Sequence, residues 1–308
     1  MTVAAALLPR DRSPLKQSFE QLLIPVDSQS LVRADAHFQS GSKASLIIVH
    51  GLEGSSSSDY VLGLTAKALA TGFSVIRLNL RNCGNTAHLS PTLYNAGQSG
   101  DLLQVIDWLY KWRAQEEQYL IGYSLGGNLV LKALAEIGSD PSPAAGACVV
   151  SPSIDLAASV KCLGEGATKI YEYLFLRSLR KKIAEKSRLF PHLYDASQLS
   201  KIKDLYLFDD IYTAPHAGYR GADHYYQSAS SKLLLKKIEK PTLIITAKDD
   251  PIVPFDAFKG IDNPYLHLLS PEHGGHVAFL ASHDHFWADT QIISFCQQQS
   301  KKTVCRSS

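Results

Sequence analysis

No stretch of this 308-residue chain approaches the roughly 18 apolar residues that a membrane-spanning helix requires. An excess of charge of one sign is missing too. The 31 Lys and Arg face 29 Asp and Glu, and a net charge of +2 gives no basis for a nucleic-acid partner. Cysteine pairing is also absent: Cys83, Cys148, Cys162, Cys296 and Cys305 are scattered and odd in number, with no Cys-x-x-Cys. That pattern fits reduced thiols in a cytoplasmic protein better than a disulfide framework. The opening MTVAAALLPRDRS lacks a basic leader and its apolar run stops at Pro9, so it does not read as a signal peptide. A short tail of this kind leaves only peripheral membrane contact open. Gly122-x-x-x-Gly126-Gly127 lacks the Lys-Ser/Thr of a phosphate loop, and no Gly-x-Gly-x-x-Gly follows a strand pattern, so no nucleotide cofactor is expected.

What is present is a rhythm of short apolar runs alternating with helical stretches. LVRADAHF (31–38) partly alternates, as an opening antiparallel edge hairpin would. SLIIVH (45–50), FSVIRLN (73–79), QYLIGY (118–123) and AGACVVS (145–151) read as buried strands. Helices fit between them at about 59–71, from Ser99 onward, and at 128–137; Asp101 suits the positive end of its helix. The rhythm breaks over 152–230, then resumes with KPTLIITAKDDPIVP (240–254), YLHLLS (265–270) and a closing helix from FWADTQIISFCQQ. The fold class is therefore α/β: a mostly parallel sheet covered on both faces, with an inserted helical cap. The core takes 18–151 and 231–300, the cap 152–230, and 1–17 and 301–308 read as tails.

The chemistry gathers around LIGYSLGGN (120–128). A serine on a tight strand-to-helix turn needs small neighbours, which Gly122 and Gly126 supply, while Gly127 would let the helix approach the sheet. Such a nucleophile needs a base, and the base an orienting acid. Asp249 and Asp250 follow one late strand, and His273 and His276 follow the last. Asp250 is preferred because Asp-x-x-Val-Pro (250–254) is a recurrent acid turn, leaving Asp249 as its exposed neighbour. His276 is preferred because Gly274 and Gly275 let its loop close on the serine, leaving His273 to solvent. The oxyanion expects backbone N–H groups from Leu125, after the serine, and from Leu52 in HGLEG (50–54).

HGLEGSSSSDY, RLNLRNCGNT, LYNAGQSGDL, GYSLGGN, FDDIYTAPHAGYRGADHYY and ITAKDDPIVP…GGHVAF, taken together, resemble the YheT-like α/β-hydrolases over about residues 18–290. The resemblance implies a serine esterase with Ser124, Asp250 and His276 as its triad. One position departs from it: Asn82 stands where the family usually has Gly in Arg-Gly-Cys-Gly.

Other signals weigh less. His273, His276, His283 and His285 with Asp284 crowd the C-terminal region, but without the i, i+4 spacing of a helical zinc site, so no metal is expected. Between 161 and 190 there are eight Lys/Arg against three Asp/Glu. They read as a solvated helix face, or more sharply as a surface for anionic lipid or an acidic substrate. Tyr171, Tyr173, Phe175, Tyr225 and Tyr226 are candidates for an acyl pocket. The expectation is hydrolysis of carboxylic esters through an acyl-enzyme, without a cofactor, on a small-molecule ester or lipid. Its rivals are acyl transfer by the same triad and a non-catalytic binder on the same fold.

Overall fold

The computed structural model describes residues 13–16, 18–42, 44–113, 116–277, 279–281 and 286–307. Eight strands form one sheet: β1 (Glu20–Pro25), β2 (Leu31–His37), β3 (Ala44–Val49), β4 (Ser74–Asn79), β5 (Glu117–Tyr123), β6 (Ala144–Val150), β7 (Thr242–Ile245) and β8 (Leu266–Leu269). Their order is β1-β2-β4-β3-β5-β6-β7-β8. β1 and β2 are the expected antiparallel opening hairpin, and β2 also runs antiparallel to β4; every later pairing is parallel. β3 and β4 are buried at every position, as strands covered on both faces must be, whereas edge strand β1 buries only alternate residues.

The helices divide between the two faces. Ile47 and Val49 of β3 point into a cluster shared with α2 (Ser99–Trp112) and α3 (Leu125–Ile137). Leu46 and Ile48, one residue out of phase, meet α1 (Asp59–Ala70) and the closing α7 (Trp287–Ser307). The excursion between β6 and β7 contains α4 (Leu156–Leu163), α5 (Lys169–Leu189), α6 (Ala222–Ala229) and short helical turns between them. Its Leu156, Leu163, Leu176, Leu179 and Ile183 join the first cluster, so the cap and the core share apolar packing.

Two local expectations change, and the start of α2 at Ser99 holds. The closing helix continues to Ser307 instead of ending before a tail at 301, because no Gly or Pro interrupts QQQSKKTVCRS. On the other side of the chain, Leu15 of a single turn at Ser13–Lys16 packs against the second cluster. Ser99 opens α2 without capping it; its hydroxyl donates to Glu136. Asp101 is drawn away to Arg81, whose guanidinium it meets with both oxygens at 2.6 Å.

Candidate active site

β5 ends at Tyr123 and α3 begins at Leu125, so the whole turn is Ser124. Its φ of 52° and ψ of −118° are strained for a residue with a side chain. The backbone is pinned around it: Ser124 N–H donates to the Val150 carbonyl at 2.9 Å, and its own carbonyl accepts from Asn128 and Ser153. The glycine spacing follows from contact. A Cβ on Gly122 would lie 2.6 Å from the Gly126 oxygen and the Gly127 Cα, and one on Gly126 would reach the Val49 oxygen at 2.5 Å. Gly126 and Gly127 together let α3 close on the sheet, Gly126 against β3 and Gly127 against Gly122 of β5, and Gly127 also clears Pro152, which its Cβ would meet at 2.8 Å.

The structure brings the expected base and acid to this serine. His276 Nε2 lies 3.0 Å from Ser124 Oγ, and His276 Nδ1 lies 2.9 Å from Asp250 Oδ2. Asp250 Oδ1 accepts the N–H groups of Ile252 and Val253, which fixes the carboxylate behind the imidazole. With Nδ1–H committed to the carboxylate, Nε2 keeps the lone pair that can take the serine proton. Asp249 is not merely exposed. Its Oδ1 accepts from Gly274 and Gly275 at 2.8 Å, and Oδ2 lies 3.2 Å from His273 Nδ1. Partial burial would raise its pKa, but those backbone donors and His273 outweigh it and hold the carboxyl below its ordinary value. The two neighbouring acids therefore divide the work: Asp250 orients the imidazole, and Asp249 ties down the loop that carries it. His273 stays in solvent, as expected, and His283, Asp284 and His285 lie outside the described residues.

The two oxyanion candidates face the same cavity as Ser124. Gly51 N–H is taken by the Tyr60 hydroxyl and Glu53 N–H by the Tyr94 hydroxyl, at 3.0 and 2.9 Å. Among the described residues no acceptor takes the intervening Leu52 N–H, nor that of Leu125 at the start of α3. The loop is anchored by His50, whose Nδ1 donates to the Gly51 carbonyl at 2.8 Å while Nε2 accepts from Leu80 N–H at 3.2 Å. Complete burial pushes its pKa down to about 4, so the ring is neutral and its tautomer is set by those two partners.

The cavity has a volume of about 320 Å³ and is walled mainly by apolar side chains, among them Leu93, Leu156, Val160, Leu179 and Ile252. Of the five aromatic candidates, Tyr171, Phe175, Tyr225 and Tyr226 line it, but Tyr173 is 58% exposed and faces outward. The cations of α5 divide similarly. Arg177 and Lys181 are exposed, but Lys182 and Lys186 turn inward, against the expectation of a uniformly solvated face. Lys186 donates to the carbonyls of Ala87 and Ser90 beneath the ring of Phe190. Asp209, which sequence reasoning passed over, also lines the cavity; burial pushes its pKa up to about 6 although the Thr213 and Tyr226 hydroxyls pull it back.

Asn128 closes the GYSLGGN motif. Its Nδ2 donates to the Ala96 and Ala229 carbonyls, and its Oδ1 accepts from Ser231 N–H, so one side chain joins α3, the loop before α2 and the end of the cap. A polar residue in the otherwise apolar first turns of the helix, LGGNLVL, was the available signal. Asn82, at the departure from the family pattern, sits at φ 60°, a region that asparagine tolerates better than most residues.

The family model for the α/β hydrolase fold matches residues 44–282. The chain belongs to that family. Within it, this hydrolase is YheT-like: it is 32% identical to the YheT protein of Escherichia coli over 261 residues, 82% of this chain and 76% of that one. It is also 32% identical over 251 residues to a monoacylglycerol lipase of Saccharomyces cerevisiae, covering 77% of this chain but only 55% of the lipase. An esterase of Pyrococcus furiosus superposes with a TM-score of 0.64 over 95% of this chain and 94% of its own, at 16% identity, a likeness of fold alone. Among the described residues no helix is long and apolar enough to cross a membrane.

Proposed function

We propose that this hydrolase cleaves carboxylic esters through an acyl-enzyme on Ser124. The observation that carries the reading is the unbroken line from Asp250 through His276 to a serine held at φ 52° in the wall of an apolar cavity. In the first half-reaction His276 Nε2 takes the serine proton as Oγ attacks the ester carbonyl, and Asp250 stabilises the imidazolium. The N–H groups of Leu52 and Leu125 receive the oxyanion, and His276 returns the proton to the departing alcohol. Water, activated by the same imidazole, then releases the acid. No step needs a cofactor.

The cavity supports a substrate class. About 320 Å³ is near the lower end of ligand pockets, which suits one short or medium acyl chain with its alcohol outside, in acylglycerols as in simple esters. The name of the yeast relative, a monoacylglycerol lipase, accords with that. Hydrolysis of chromogenic esters from two to sixteen carbons tests the reading, with an added alcohol acceptor to report transfer. The expected result is a maximum at short to medium length, lost in Ser124→Ala, with the free acid as main product. Equal hydrolysis by Ser124→Ala overturns it.

A further inference from the structure

The wall of the cavity contains a charged pair that the proposed chemistry does not use. Glu53 directly follows Leu52 and sits at φ 54°, a conformation that a residue with a side chain adopts only when held there. Its carboxylate, 7% exposed, meets Lys182 Nζ at 2.7 Å, the Tyr94 hydroxyl at 2.9 Å and the Ser178 hydroxyl. The same Tyr94 oxygen accepts Glu53 N–H, so backbone and side chain are clamped together. Lys182 Nζ lies over the Tyr94 ring, 4.6 Å from its centre. Ser178 and Lys182 are one turn apart on α5 and share a face of that cap helix.

Buried ion pairs are poor stabilisers in general, because apolar side chains of similar size often do as well, and their best-attested use is to fix a register. What this pair fixes is the backbone beside Leu52, between Gly51 and Glu53 amides that are both already engaged.

We propose that Lys182 is a positioning residue for the ester hydrolysis: through Glu53 it holds the Leu52 N–H where the oxyanion forms, so the cap completes the oxyanion hole. This rests on the esterase reading of Ser124. With the pair intact the donor is fixed before attack and needs no reorganisation as charge develops. Without Lys182, the Glu53 carboxylate keeps only the Tyr94 and Ser178 hydroxyls and no counter-charge, which loosens the loop.

The test measures kcat and KM on a short chromogenic ester, together with inhibition by a trifluoromethyl ketone, which forms a tetrahedral oxyanion on the serine. The proteins are wild type, Lys182→Met, Glu53→Gln, the double variant, and Lys181→Met at the exposed neighbouring position. Lys182→Met is expected to lower kcat by about 30- to 100-fold with KM within about twofold, and to weaken the ketone by the same factor. The double variant, leaving no unpaired charge, should recover part of the loss, and Lys181→Met should match wild type. Should Lys182→Met not fold, Glu53→Gln carries the test, with kcat and ketone binding both expected to fall about tenfold. A Lys182→Met protein with unchanged kcat, or with only KM raised and ketone affinity kept, overturns the proposal. So does an unaffected Glu53→Gln. Wild type that neither hydrolyses the ester nor reacts with the ketone overturns the esterase reading instead, which keeps the two failures apart.

Discussion

In the core, Asp250 is held by the N–H groups of residues two and three positions along its own chain. In the cap, Ser178 holds Glu53 from 125 residues away, and Lys182 does the same from one turn further along α5. Both arrangements keep a carboxylate out of water, Glu53 in the cavity wall and Asp250 behind His276. The first is written into a five-residue turn; the second exists only after α5 has packed. The difference teaches where chemistry can be read before folding and where it cannot: local backbone donors leave a motif, and tertiary ion pairs leave only a charged residue among others.

The largest expected effect separates two neighbours within the core. Asp250→Asn should lower kcat by about 10³- to 10⁴-fold, because the imidazole loses its tautomer and its counter-charge. Asp249→Ala should cost only about tenfold, by loosening Gly274 and Gly275 and hence the aim of His276. Kinetics on one ester checks both. Losses of equal size would mean that the division of labour between the two acids is wrong.

The seam between core and cap comes next. Asn128→Ala leaves the Ala96 and Ala229 carbonyls and Ser231 N–H without their partner, and should destabilise by about 3 kcal/mol, read as a fall in the denaturation midpoint. A change under about 0.5 kcal/mol would show that the cap is not keyed to α3 through this residue.

The effect confined to one pH range is a pH dependence that differs in sign between the regions. In the cap, the folded Asp209 keeps its proton up to about 6, whereas the unfolded one releases it near 3.8. Stability therefore falls as pH rises between those values, and the cost is full above 6. Asp209→Asn should gain up to about 3 kcal/mol at pH 7.5 and little at pH 3.5. In the core, folded His50 stays neutral down to about 4 while the unfolded ring charges near 6.5, so stability there falls as pH drops through that window. Denaturant titrations of wild type and Asp209→Asn across pH 3.5 to 7.5 check this. A gain that does not change with pH would remove Asp209 as its origin.

Much of the core was legible. Periodicity located every parallel strand, because runs such as SLIIV are apolar on both faces and cannot be amphipathic helices of that length. Chain order and loop position narrowed the partners of Ser124 to two acids and two histidines, and the Asp-x-x-Val-Pro turn and the Gly274-Gly275 pair favoured Asp250 and His276, which the structure sets within hydrogen-bond distance. Less could be read where helix orientation decides. Tyr173 and Phe175 are two residues apart, one in solvent and one in the cavity wall, and nothing in KIYEYLFLRSLRKK says which face turns inward. Lys182 and Lys186 looked like their exposed neighbours for the same reason. The anchoring role of His50 is not legible in HGLEG, because it needs Leu80, which lies in another strand-end loop.

The central claim is that Ser124 is the attacking group, and mapping of a covalent fluorophosphonate adduct tests it most directly. Digestion and mass spectrometry of the labelled protein should place one adduct on Ser124, with labelling abolished in Ser124→Ala and slowed in His276→Ala. An adduct on any other residue, or undiminished labelling of Ser124→Ala, would contradict the account.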